Sequence, residues 1–240
     1  MEARLSALGG KLTRDELALV PTPEATSSHK PIPHIEVVNA LIEVLGFRNI
    51  GIHKEEYCMA SNGMRFFGIM ELTQTFTGCR FALGIRNSND KSLALAITVG
   101  YRVNVCDNLM FAGDFTPVMR KHTKNANLLE SLTLGVDQMQ RNFKPMVEAV
   151  EFWRQSQITD VQAKMLIYEA FIEGELEAPK HLAPDVHRIY FNPTVEEFAP
   201  RTMWSLSNSF TLAFKQLDPV PCYKATGRLA EFLKLKEGNR

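Results

Sequence analysis

Several signatures of familiar chemistry are missing from this sequence. There is no Cys-x-x-Cys pair, no His-Glu-x-x-His or His-x-His, no Gly-x-x-x-x-Gly-Lys-[Ser/Thr] loop and no Gly-x-Gly-x-x-Gly turn. Zinc-finger and thioredoxin chemistry, zinc hydrolysis, P-loop nucleotide binding and Rossmann dinucleotide binding therefore have no spacing to support them. No metal and no cofactor is expected. No run approaches the roughly 18 consecutive apolar residues that span a bilayer, so no membrane association is expected. The first twenty residues lack the apolar core of a secretory signal, which predicts a cytoplasmic protein. The four cysteines, Cys58, Cys79, Cys106 and Cys222, are widely separated and read as free, mostly buried thiols.

What is present is an ordinary globular composition, 45% hydrophobic and 22% charged, with a formal net charge of zero. The zero conceals segregation: residues 1–79, 80–124, 125–200 and 201–240 carry −2, +4, −6 and +4. A local basic surface is compatible with that alternation.

Four prolines in 21–33 mark a linker, making 1–33 an N-terminal appendage and 34–240 a single α+β domain. Within it, Ile35, Val38, Leu41, Ile42 and Leu45 form one helical stripe, which predicts a helix over 34–46 closed by Gly46. The period then becomes two. Phe47–Ala60, Met64–Phe76, Cys79–Asn87 and Ser92–Val105 read as strands, with turns at Asn62-Gly63, Thr77-Gly78 and 87–90. Such short connections predict an antiparallel four-stranded meander over 47–105. The remainder, 120–240, is helical: a long amphipathic helix kinked at Pro145, then a helix capped by Thr159 and Gln162 and ended by Gly174. Two more helices follow near 202–217 and 225–236.

Splitting the last two strands by parity gives two unlike faces. Odd positions (Phe81, Leu83, Ile85, Ile97, Val99, Tyr101) are a conventional core. Even positions are Ala, Gly, Thr and Ser, interrupted by Arg80, Arg86 and Arg102; Gly84 and Gly100 allow something to approach the backbone closely. That something is either a helix, about 125–157, whose acidic residues pair with the arginines, or a ligand in an open groove with the arginines at its margins. Arg120, Lys121, His122 and Lys124 add a basic segment where the chain enters the long helix. A catalytic reading would use Cys106 with His122, or Asp107 with Asp114.

The stretches "GIRNSNDKSLALAITVGYRVNVCDNLMF", "RKHTKN" and "RTMWSLSNSFT" resemble a phage- and plasmid-type family of domains of unknown function. In its pattern a strand ending Arg-Val-x-x-Cys-x-Asn precedes an Arg-His-Thr-Lys element, and a helix with Thr-x-Trp before an Asn closes the domain. Here these fall at Arg102, Cys106 and Asn108, at Lys121–Lys124, and at Thr202, Trp204 and Asn208. Lys121 stands before the histidine, and Asn125 replaces an expected glycine. The resemblance spans about residues 80–215. It implies no assigned reaction, but a setting in DNA metabolism or host conflict. The meander followed by a long helix is also similar in topology to single-strand annealing proteins.

Together these readings predict a non-enzymatic nucleic-acid-binding protein, for single strands in replication, repair or mobile-element biology. Arg80, Arg86, Arg102, Arg120, Lys121, His122 and Lys124 would contact phosphate. Gly84, Gly100, Cys106 and Asn108 would be structural, with Asn108 bonding local backbone. A protein-interaction or homo-oligomerisation module is the alternative, and a hydrolase or nucleotide-processing enzyme a third.

Overall fold

Runs of alternating apolar and polar residues rich in Phe, Ile, Val and Tyr become strands in the computed structural model, which describes residues 11–27, 29–59, 63–111, 116–119, 127–217 and 219–237. The chain divides into two compact units, one comprising Met1–Phe76, Arg80–Tyr101 and Phe115–Phe143, the other Thr77–Cys79, Arg102–Asp114 and Lys144–Arg240.

The first unit is a sheet covered by helices. Strands β1 (Lys11–Leu12), β2 (Ile52–Met59), β3 (Arg65–Phe76), β4 (Cys79–Ser88) and β5 (Leu95–Val103) follow one another across an antiparallel sheet, so the expected meander is present as β2–β5. The connection between β3 and β4 is only two residues long. Thr77 and Gly78 both take positive φ, 35° and 74°, the twist that a tight hairpin between β3 and β4 needs. The sheet then gains what the local pattern did not announce. β1 pairs with β2 through Lys11↔Cys58, and β7 (Thr116–Met119) returns to pair with β5 through Ile97↔Thr116.

Helix α1 (Arg14–Ala18) is opened by a capping box between Thr13 and Glu16, and α2 spans His34–Phe47. α2 runs one residue beyond Gly46, and the left-handed residue that follows it is Asn49, at φ 54°. Buried Val37, Val38, Leu41, Val44 and Leu45 form its inner stripe. Its first residue, His34, stacks on Phe66 at 5.4 Å and is held at both ring nitrogens: Nε2–H donates to the Gly63 carbonyl at 3.2 Å, and Nδ1 accepts from Asn87 Nδ2 at 2.9 Å. The Asn87 amide also donates to the Ile32 carbonyl, and Asn89 Oδ1 accepts from the Ile32 N–H, so the proline-rich arm is tied to the end of β4.

Helix α3 (Leu128–Gln140) packs on the apolar, odd-parity face of β5, not on the small-residue face. Gly135 is the reason: a Cβ there would lie 3.0 Å from Ile97 Cδ1 and 2.4 Å from Val118 Cγ1, so the helix fits only where glycine leaves a hole for those side chains. Phe143 stacks on Phe81 at 4.2 Å on the same face. The expected kink falls at Arg141 and Asn142, between α3 and α4 (Phe143–Gln155). Pro145 accounts for it. Its ring would clash with the carbonyl of residue 141 in an unbroken helix, yet it is tolerated in the first turn of a new one.

The second unit is mostly helical. The strand β6 (Leu109–Phe111) folds back on the end of β5. α5 (Asp160–Tyr168) starts at the expected Thr159–Gln162 capping box and continues as a π-helical turn, Glu169–Glu173, ended by Gly174 at φ 83°. After α6 (Ala183–Phe191) comes α7 (Met203–Phe214), buried at every position except Leu212, and then α8 (Pro219–Glu237). α7 is the centre of this unit, with α6 and α8 packed on it. No helix among the described residues is long and apolar enough to cross a membrane.

Candidate functional site

The small-residue face of the first unit is closed. Ring contacts of Phe76 with Phe81 (4.5 Å) and Tyr101 (5.9 Å) set even residues of β3 on the side of odd residues of β4 and β5. Arg80, Ala82, Gly84, Arg86, Ala96, Thr98 and Gly100 therefore share the opposite face with odd residues of β3, among them Glu71. The β2–β3 register, with Lys54↔Glu71 and Glu56↔Ile69, adds Glu56 to that face. Ala82, Gly84, Ala96, Thr98, Gly100, Glu56 and Glu71 are all buried, and Arg80 and Arg86 are half-buried. A buried carboxylate needs donors or cations around it: Glu56 pairs with Lys54 at 2.9 Å, and the arginines on the same face carry the matching sign. Arg80 also turns inward within its own sheet, donating from Nη1 to the Leu72 carbonyl at 3.1 Å and the Thr73 carbonyl at 3.3 Å.

In the second unit, Arg102 is only 3% exposed. Beyond it the turn that joins β5 to β6 is built from the family-like motif. Asp107 takes φ 53°, a left-handed position that Asp tolerates better than most residues. The Val103 N–H donates to the Asn108 carbonyl at 2.8 Å, and the Asp107 N–H to the Val103 carbonyl at 2.9 Å. Lys215, just after α7, donates to the Cys106 carbonyl. Asn108 is 1% exposed, and its side chain does not bond local backbone: Nδ2 donates to Asn208 Oδ1 at 3.0 Å and to the Asn208 carbonyl at 3.2 Å. The first and third elements of the motif pattern, a hundred residues apart, are thus one contact.

The rest of the third element is structural in the same way. Thr202 caps α7 by accepting from the Ser205 N–H at 3.1 Å, and the Asn208 amide donates to the Trp204 carbonyl at 3.0 Å. Trp204 lies under Arg154, whose guanidinium carbon is 4.4 Å from the ring centroid. Arg154 Nη2 donates to Glu197 Oε1 at 2.8 Å and to the Thr77 carbonyl at 2.9 Å, while the Trp204 indole N–H points at the same Glu197 oxygen at 3.4 Å. Helical periodicity places Trp204 in a helix but does not show this clamp. The only signals for it were an arginine in the last turn of α4 and an acidic pair just before α7.

Electrostatics do not favour a cysteine nucleophile. Burial pushes the Cys106 thiol above its ordinary value, outweighing Lys215 and the Asn108 main-chain N–H that pull it down. A reactive thiolate needs the reverse balance. Burial likewise pushes Cys79 up to about 12 against the opposing pull of Arg154. Among the described residues no group of three or more His, Cys, Asp or Glu is placed to hold a metal ion. Arg120, Lys121, His122, Lys124 and Asp114 lie outside the described residues. Their basic segment leads into α3, a helix of 13 residues whose first turn is capped by Asn127 Oδ1, which accepts from the Glu130 N–H at 3.2 Å.

Comparison with curated proteins and with solved structures gives no match. A family model does match, over residues 25–227, that of a domain of unknown function (DUF932). The matched span takes in the arm tied to β4, the whole meander, the β5–β6 turn and the Asn208 helix that clamps it. The chain belongs to the DUF932 family.

Proposed function

We propose that this protein binds nucleic acid, single strands in particular, and acts in the cytoplasm in replication, repair or the biology of phages and plasmids. The observation that carries the proposal is the cluster Arg120, Lys121, His122 and Lys124, three lysines or arginines and a histidine within five residues, immediately before the N-terminal end of α3. Phosphate is attracted to cationic side chains and to the positive end of a helix dipole alike. The +4 balance of residues 80–124 supports the same site against a chain of zero net charge. The sheet arginines take a lesser part in this reading, because Arg102 is buried and Arg80 is bonded to main-chain carbonyls.

The test is fluorescence anisotropy of a labelled single-stranded oligonucleotide at low and moderate salt, with a duplex of the same sequence alongside. Affinity that falls steeply with salt is expected, since each phosphate contact to a single strand contributes about 0.7 to the slope of log K against log salt. An absence of binding at low salt would remove the proposal. Equal affinity for the duplex would remove its preference for single strands.

A further inference from the structure

Helix α5 and the π-helical turn that continues it present an apolar seam to solvent. Val161, Met165, Tyr168 and Ile172 are 70%, 53%, 49% and 46% exposed. Their spacing of four, three and four residues is the d–a–d–a step of a coiled-coil heptad. The other side of the same helix is committed to its own unit, with Ala163, Leu166 and Ile167 buried at f, b and c, and Ala170 and Phe171 buried in the π-helical turn that continues it. Single exposed apolar side chains are ordinary, but four in register on three turns form a continuous patch.

We propose that this seam pairs with the same seam of a second copy of the chain, the two helices running parallel about a two-fold axis. Charge selects both the partner and the direction. In the register set by the seam, Lys164 occupies g and Glu169 occupies e. A parallel pair sets g of one helix beside the e residue five positions on in the other, so Lys164 of each copy meets Glu169 of its mate. Lys164 is exposed, and Glu169 binds Lys236 at 2.9 Å through Oε2. A carboxylate accepts several donors, so that ion pair and the new one coexist. An antiparallel pair would instead bring like edges together, setting the edge that carries Glu169 and Glu173 against itself. Tyr168, at a central d position, is the kind of side chain that anchors such interfaces. The seam lies wholly within the second unit and is independent of nucleic-acid binding.

Sedimentation velocity of the full chain over a range of concentrations tests the proposal, together with two variants. The wild type is expected to pass from monomer to dimer as concentration rises. Met165→Asp puts a charge on each side of the seam and should weaken association on the order of a hundredfold. Met165 is half exposed, so the fold should survive, and thermal melting monitored by circular dichroism checks this. Ile172→Cys, in a chain carrying Cys106→Ser and Cys222→Ser, should give a disulfide-linked dimer on mild oxidation, because a parallel pair sets position 172 opposite itself, whereas an antiparallel pair centred on the seam sets it opposite Val161. A wild type that stays monomeric throughout would overturn the proposal. So would a dimer indifferent to Met165→Asp, or one in which Ile172→Cys fails to cross-link.

Discussion

Asn108 and Asn208 meet amide to amide in the interior of the second unit, with Asn108 Nδ2 3.0 Å from Asn208 Oδ1 and 3.2 Å from the Asn208 carbonyl oxygen. Both acceptors draw on one donor group, and Asn108 Oδ1 is buried with no hydrogen-bond partner among the described residues. The pair is the fastening between the β5–β6 turn and the central helix α7. Its geometry makes chemistry matter more than size. Asn108→Ala removes the donor and should cost about 1–3 kcal/mol. Asn108→Asp keeps the shape but turns an acceptor toward two acceptors, adding a buried charge, and should cost more than the alanine. Urea unfolding of both variants at neutral pH checks the order, and an aspartate variant more stable than the alanine one would contradict this account.

Gly135 offers a sharper packing test because Gly46, a second helical glycine, serves as its control. A methyl group at Gly135 collides with Val118 and Ile97, two short branched side chains with little freedom to retreat, so Gly135→Ala should destabilise by about 1–3 kcal/mol. At Gly46, in the last turn of α2, a Cβ meets nothing within 4 Å. Gly46→Ala should therefore stabilise by about 0.5–1 kcal/mol through the higher helix propensity of alanine. Thermal unfolding should shift in opposite directions for the two.

Those two glycines also show how far sequence carried. Alternation made β2 to β5 legible because a strand writes its faces locally, and Pro145 and the Thr159–Gln162 pair likewise act within a few residues. Parity further showed that Arg80 and Arg86 share a face with Ala82 and Gly84. It could not say what lies over that face, since small residues interrupted by arginines suit an open groove and a closed, ion-paired interior equally well. Glu56 and Glu71 come to the same face only through strand pairing. The hole at Gly135, the return of β7 to β5 and the Asn108–Asn208 contact depend on residues far apart in the chain. Local periodicity carries no trace of them.

His34 should make stability depend on pH. Burial lowers its pKa below the ordinary 6.5, with the Gly63 carbonyl opposing. The unfolded chain then binds a proton more readily than the native one. The contribution is fully present above pH 6.5 and is lost as pH falls below it toward the lowered native value. Protonation also removes the Nδ1 acceptor that Asn87 uses. The melting temperature of the wild type should drop between pH 7.5 and 5.5, and His34→Leu, though less stable at pH 7.5, should show a smaller drop. Equal pH dependence in the two chains would mean that other groups are responsible.

Arg154 joins three partners that a lysine could not serve together: Glu197, the Thr77 carbonyl and the face of Trp204. A planar guanidinium can stack and donate at once, whereas an ammonium is a point charge. Arg154→Lys should cost about 1–2 kcal/mol despite keeping the charge. If the clamp is made by charge alone, lysine should restore most of what Arg154→Ala loses, and denaturant titration of the three chains separates the cases.

The basic segment and the sheet arginines should part company in a salt titration. Replacing Arg120, Lys121 and Lys124 together by alanine removes three cations from the proposed phosphate site. At about 0.7 per contact, the slope of log K against log salt for a single strand should fall by about 2. The unfolding midpoint should stay close to that of the wild type if these side chains serve binding alone. Arg102→Gln should behave in the opposite way. A side chain that is 3% exposed contributes to the fold, so its loss should lower the unfolding midpoint and leave the salt slope of the folded protein unchanged. A slope that fell with Arg102→Gln and not with the triple variant would return the site to the sheet, with the buried face opening to admit the strand.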